Sequence, residues 1–242
     1  MSQEHKAGMF PATAWSRIEA AKDPNHPRFK ESIAWLLTTY ERPVFSFLRA
    51  HGHRPQVAKE MTHEFLTTFL SNNWVEPAAP TRGRFRNFLL TILKRFAYDE
   101  TKRAKKQRQF ETGVIPFSAI AADDTPAYDP AAPGTPDETF HQEWKAETLR
   151  RVWANLKAYY DGLGKPAEAV RYQIFAARHR VECAEDQPTQ DALAAQFGVT
   201  RGEVRKALDE VTKRYERFVR QELREETGSE EEVEEEIREL LR

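Results

Sequence analysis

Cysteine is almost missing from this chain: Cys183 stands alone among 242 residues. A lone thiol excludes an intrachain disulfide framework and a cysteine-built zinc site. It fits an incidental residue in a reducing cytoplasm better than a nucleophile. Long apolar runs are missing too. No stretch approaches the ~20 residues that a membrane span needs, and the opening "MSQEHKAGMFPATAW" has none of a signal peptide's apolar core. The expectation is a cytoplasmic protein with no membrane partner. Phosphate-binding glycine loops, serine-nucleophile motifs and zinc-ligand clusters are also absent, so neither an enzyme nor a cofactor is expected. Two Glu-x-x-His pairs, Glu60/His63 and Glu138/His141, have the spacing of di-iron carboxylate bundles. That chemistry needs inward-facing pairs and two further glutamates. Glu138 instead opens a helix and Glu60 lies among charged neighbours, so no metal is expected.

What is present is helical. The apolar residues recur at helical spacing, and no alternating strand pattern stands out. A short helix is predicted over Thr13–Ala21, with Trp15 and Ile18 on one side. A second runs from about Phe29 to Gly52 through Ile33, Leu36, Tyr40, Val44 and Leu48, with Pro43 expected to kink it or start a new segment. "RPQVAKEMTHEFLTTFLSNNW" gives a third, followed by the loop "SNNWVEPAAPTRG". From Glu111 to Asp137 the character changes to prolines and acids with few aliphatics, which marks a linker. Helical periodicity resumes with Phe140, Trp144, Val152 and Leu156. The tail "GSEEEVEEEIRELLR" aligns Val233, Ile237, Leu240 and Leu241 on one side of an acidic helix. The predicted class is all-α: small helical domains over 1–110 and 138–228, an acidic Pro-rich linker over 111–137, and an acidic tail over 229–242.

"QDALAAQFGVTRGEVRKAL" has the logic of a helix-turn-helix. Ala194 is small where two helices cross, and Gly198 can take the left-handed turn conformation. Leu193, Phe197, Val199, Val204 and Ala207 supply the apolar faces. Thr200 and Glu203 form a capping box that starts the second helix. Arg201, Arg205, Lys206 and Asp209 then project outward, where arginine and lysine can reach guanine edges or phosphates. Lys213 and Arg214 continue the basic face, and Thr200 stands at its start.

The stretch "GRFRNFLLTILKRFAYDETKRAKKQR" is poor in acid: Asp99 and Glu100 stand against ten basic residues between Arg82 and Arg108. A solvated helix face ordinarily mixes signs. On a helical wheel Phe85, Phe88, Leu89, Ile92 and Phe96 fall on one side, with Asn87, Thr91, Lys94, Tyr98 and Lys102 opposite. A tyrosine among lysines is a platform for an unstacked base. Yet the net charge of the whole chain is only −1, unlike a free-standing nucleic-acid binder.

Together the two halves resemble the extracytoplasmic-function group of the bacterial RNA polymerase sigma-70 family, the first half sigma region 2 and the second sigma region 4. "FRNFLL" and "DETKR" are similar to that family's melting helix, and "EMTHEFL" to its polymerase-binding helix, with His63 and Leu66 where the family has glutamine and phenylalanine. The resemblance implies a sigma factor that binds core RNA polymerase and promoter DNA, reads the −35 and −10 elements and promotes melting. Glu60, His63 and Glu64 would meet polymerase. Asn72, Asn73, Trp74, Arg84, Asn87, Thr91, Lys94, Arg95, Tyr98 and Lys102 would meet the −10 element. Thr200, Arg201, Arg205, Lys206, Asp209, Lys213 and Arg214 would meet the −35 element. Asp123, Asp124 and Asp129 would thread the polymerase channel that later carries RNA. An anti-sigma factor, a regulatory kinase or the tail would restrain the protein. A linker of ~27 residues reaches at most ~90 Å at ~3.3 Å per residue, and elements ~20–25 base pairs apart lie ~70–85 Å apart, so one chain can touch both. The weak net charge fits, because polymerase shares the electrostatic work. The alternative is a helix-turn-helix regulator that acts without polymerase.

Overall fold

The computed structural model describes residues 15–79, 83–112, 134–179, 187–224, 226–227 and 229–240, the side chains of 104–112 excepted. Cys183, Arg82 and, of the predicted linker, Asp123, Asp124 and Asp129 lie outside these residues. Among the described residues the fold is all-α, with no strand. The helices are α1 Ser16–Lys22, α2 Phe29–Ala50, α3 Pro55–Ser71, α4 Phe85–Thr112, α5 Pro136–Gly162, α6 Pro166–His179, α7 Gln190–Phe197, α8 Arg201–Arg224 and α9 Glu230–Leu240. None is long and apolar enough to cross a membrane. Proline opens α3, α5 and α6, where its fixed φ suits the first turn and its missing amide costs nothing.

Contacts divide the chain into two compact units. One is built from residues up to Glu147 with Arg224–Glu234, the other from Thr148–Leu223 with residues from Glu235 onward. The acidic tail predicted over 229–242 is thus divided between the two units' packing.

In the first unit α2 packs on α1 and on α3. Its buried stripe is Trp35, Leu36, Tyr40, Val44, Phe47 and Leu48, at steps of one, three and four. No new segment starts at Pro43: α2 is one helix from Phe29 to Ala50 with Pro43 buried inside it. An interior proline costs about 3 kcal/mol. Val44, Phe47 and Leu48, all buried beyond it, stabilise the last turns by about 1.5–3 kcal/mol each, so burial wins.

Phe85, the first residue of α4, is fully buried. Its ring meets Trp15 edge-on at 5.9 Å, Tyr40 at 5.6 Å, Phe69 at 6.4 Å and Phe88 at 5.9 Å. Gly83, two residues earlier, has φ +93°, a conformation that only glycine adopts without strain. That turn delivers Phe85 into the core.

The second unit has two apolar clusters. Leu156, Tyr160, Tyr172, Phe175 and Val211 join α5, α6 and α8. Ile174, Leu193, Val204 and Ala207 join α6, α7 and α8. Arg151 Nε donates to the buried Glu222 carboxylate at 2.7 Å, tying α5 to α8 with charge inside an apolar setting.

Phe85→Ala removes the ring shared by four aromatic neighbours and should lower the unfolding free energy by about 3–5 kcal/mol. Urea unfolding followed by tryptophan fluorescence checks it; an unchanged midpoint would deny Phe85 its central place.

Candidate nucleic-acid interface

The wheel drawn on α4 matches its burial. Phe85, Leu89 and Phe96 are buried and Phe88 and Ile92 half-buried, while Asn87, Thr91, Lys94, Tyr98 and Lys102 are all exposed. Tyr98 is 67% exposed. Thr91 folds its hydroxyl back onto the Asn87 carbonyl at 2.8 Å, and Lys94 pairs with Asp137. Not every base in the stretch faces water. Arg86 is buried, with its guanidinium 4.2 Å over the Trp144 ring, and Arg84 is half-buried. Arg95 and Lys102 are exposed.

Beside that face, α3, the turn that follows it and α4 enclose a cleft of about 670 Å³. Asn72, Asn73, Trp74 and Arg95, all predicted from the sequence, line it. The turn is built by the backbone: the Trp74 amide donates to the Phe69 carbonyl at 2.9 Å, and Asn73 takes φ +49°, a left-handed conformation that asparagine tolerates. The Trp74 ring stands edge-on to Phe69 at 6.5 Å, half-buried and fixed. Asp99, Glu100 and Arg103 complete the α4 wall, with Arg103 donating to Glu100 at 2.5 Å. These three were not among the predicted site residues. Asp99 and Arg103 do close the quoted "DETKR" pattern, so the sequence carried that signal.

The chemistry of the cleft differs from that of the open face. Its carboxylates disfavour phosphate, while its amides, carboxylates and guanidinia offer donors and acceptors to a base edge. Phosphate suits the exposed cations, Lys102 on the open face and Arg95, which also lines the cleft. The three α3 residues predicted to meet polymerase are all exposed but part company. Glu64 lines the cleft. Glu60 accepts from Gln56 at 2.7 Å. His63 sits 3.6 Å from Glu41 and shares a smaller groove with Arg42, Phe45 and Lys59. Glu138 accepts the Thr135 amide at 2.7 Å while Thr135 accepts its own, a capping box that gives this glutamate a structural task.

In the second unit local rules set the ends of α7 and α8 and the tight turn between them. Thr189 caps α7 through the Ala192 amide at 3.1 Å. Gly198 ends it at φ +65°, and the Val199 amide returns to the Ala194 carbonyl at 3.1 Å, closing the helix by a glycine turn. Thr200 and Glu203 exchange backbone amides at 2.8 and 3.2 Å. Thr200 is thereby occupied as a cap. Arg201, Arg205, Lys206, Asp209 and Lys213 share the exposed surface of α8. Four of them are in surface pairs: Arg201 with Asp191 at 3.5 Å, Lys206 with Glu210 at 3.9 Å, and Lys213 with Asp209 at 2.8 Å. The Asp209 hydrogen bond holds the Lys213 ammonium above its ordinary pKa. Exposed pairs of this kind are weak, so a phosphate can displace them. Arg214 is different: half-buried, it lies 4.1 Å over the Tyr159 ring.

No known protein family matches the chain, and neither a curated protein nor a solved structure does.

Hydrogen bonds from the Thr200 amide and then its hydroxyl hold the Glu203 carboxyl below the ordinary glutamate value. A depressed folded-state pKa contributes stability above the ordinary value, and that contribution is lost as pH falls through the lowered one. The Thr200 amide resonance should therefore titrate with a midpoint below that of free glutamate. A midpoint at or above it would remove the capping bond from the start of α8.

Proposed function

We propose that the chain is a sigma factor of the extracytoplasmic-function group, which joins core RNA polymerase, reads the −35 element with α8 and holds the opened −10 strand on α4 and its cleft. One observation carries this reading. The residues quoted for the resemblance, Asp99 and Arg103, line the same cleft as Asn72, Asn73 and Trp74, beside an exposed basic face that bears Tyr98. Opening a duplex requires holding an extruded base at a cost of a few kcal/mol. Stacking returns about 1–3 kcal/mol per base, and the cleft's amides and carboxylates supply edge contacts. Arg95 and Lys102 then grip the strand's phosphates.

On α8, Arg201, Arg205 and Lys206 are the readers, because they stand exposed within two turns of the helix start, where a recognition helix meets base edges. Lys213, lower on the helix, is a phosphate contact. Arg214 supports the surface by stacking on Tyr159. On α3, the exposed Glu60, Glu64 and His63 are polymerase contacts, Glu64 from the lining of the cleft and His63 from the smaller groove.

Tyr98→Ala tests the melting role. The side chain is largely in solvent, so stability should change little. Open-complex formation, read by permanganate reactivity, should fall by about tenfold, the equivalent of ~1.4 kcal/mol of lost stacking. Affinity for core polymerase should hold. Equal loss of both would take the −10 strand away from α4.

A further inference from the structure

The first unit contains a carboxylate in its core. Glu226, from the segment that follows α8, is 3% exposed. Tyr40 Oη of α2 donates to its Oε2 at 2.6 Å, and Trp144 Nε1 of α5 donates to the same oxygen at 2.9 Å. Thr227 beside it is buried as well. Both donors lead directly to the first turn of α4. The Tyr40 ring lies 5.6 Å from Phe85, and the Trp144 ring carries the Arg86 guanidinium at 4.2 Å. Phe85 and Arg86 are the first two residues of that helix.

We infer that Glu226 is a releasable anchor through which the C-terminal segment controls the base of α4. An apolar side chain would fill this place with no charge to desolvate. A carboxylate surrenders its hydration on docking and recovers it on leaving, and Tyr40 and Trp144 are among the groups that hold it docked. When it is in, both rings are fixed and press on Phe85 and Arg86. When it is out, the two donors lose their buried acceptor and the first turn of α4 loses two supports. The segment belongs to the first unit although it follows the recognition helix in the chain. An event that moves the Glu226 segment therefore reaches the helix that we assign to promoter melting. The regulatory meaning rests on the proposed function, while the mechanical coupling does not.

Amide hydrogen exchange of the full chain, with neither DNA nor polymerase present, tests the coupling on its own. Glu226→Ala should accelerate exchange at least tenfold both in 226–234 and in 85–90, and leave α3 and α7 at the wild-type rate. Faster exchange in 226–234 with 85–90 unchanged would overturn the inference, as would no change in either. If Glu226→Ala unfolds the whole unit, which acceleration across α3 would reveal, Tyr40→Phe decides. It removes the Tyr40 donor and keeps the ring, and should accelerate the same two segments by a smaller, matched factor. Acceleration in one of them alone would overturn the coupling. Because the readout needs no transcription, its failure is distinct from failure of the sigma-factor reading.

Discussion

Burial of Phe85 is the constraint on which the first unit depends. One ring at the start of α4 closes against Trp15, Tyr40 and Phe69, and so against residues at α1, α2 and α3. It also sets the rotation of α4. A helix advances about 100° per residue, so a slip of one position would swing Lys94 and Tyr98 out of their exposed line and force charge toward the core. The open basic face and the cleft wall are thus two consequences of one packing decision. Gly83 provides the turn that makes the decision possible, and Leu89, Leu93 and Ala97, all buried, carry it along the helix.

Electrostatics then divides labour along α4. Ten bases crowd the stretch between Arg82 and Arg108, but they are not equivalent. Arg86 is spent on the Trp144 ring and Arg103 on Glu100 in the cleft. Among the described residues Arg95 and Lys102 are exposed. The cleft, with Asp99, Glu100 and Glu64 in its lining, suits a neutral base rather than a phosphate. An acidic composition elsewhere explains how a chain of net charge −1 can still hold a local cationic surface. Such a surface weakens with salt.

Much of this was legible in sequence because it is local. The α4 wheel, the Thr200–Glu203 box and the left-handed Gly198 rest on spacing and turn chemistry that act within a few residues. The exposed positions Arg201, Arg205 and Lys206 followed from the same periodicity. What was not legible is long-range. Nothing near Arg86 in the chain indicates that Trp144 will cover it. Pro43 reads as a helix breaker until the apolar stripe beyond it is known to be buried. Glu226 sits in a run of acids typical of a solvated tail, and only the folded unit reveals the hydroxyl and indole that receive it. Asp99 and Glu100 looked like the sparse acids of a basic face, whereas the fold turns them into cleft lining.

Promoter-specific initiation by core RNA polymerase in the presence of the full chain tests the central claim most directly. Core polymerase should bind the chain and, on duplex fragments that the complex retains, yield discrete run-off transcripts that core polymerase alone does not make. A chain that retains such fragments by itself, does not bind core polymerase and adds no specific transcript would contradict the account and leave a helix-turn-helix regulator that works without polymerase.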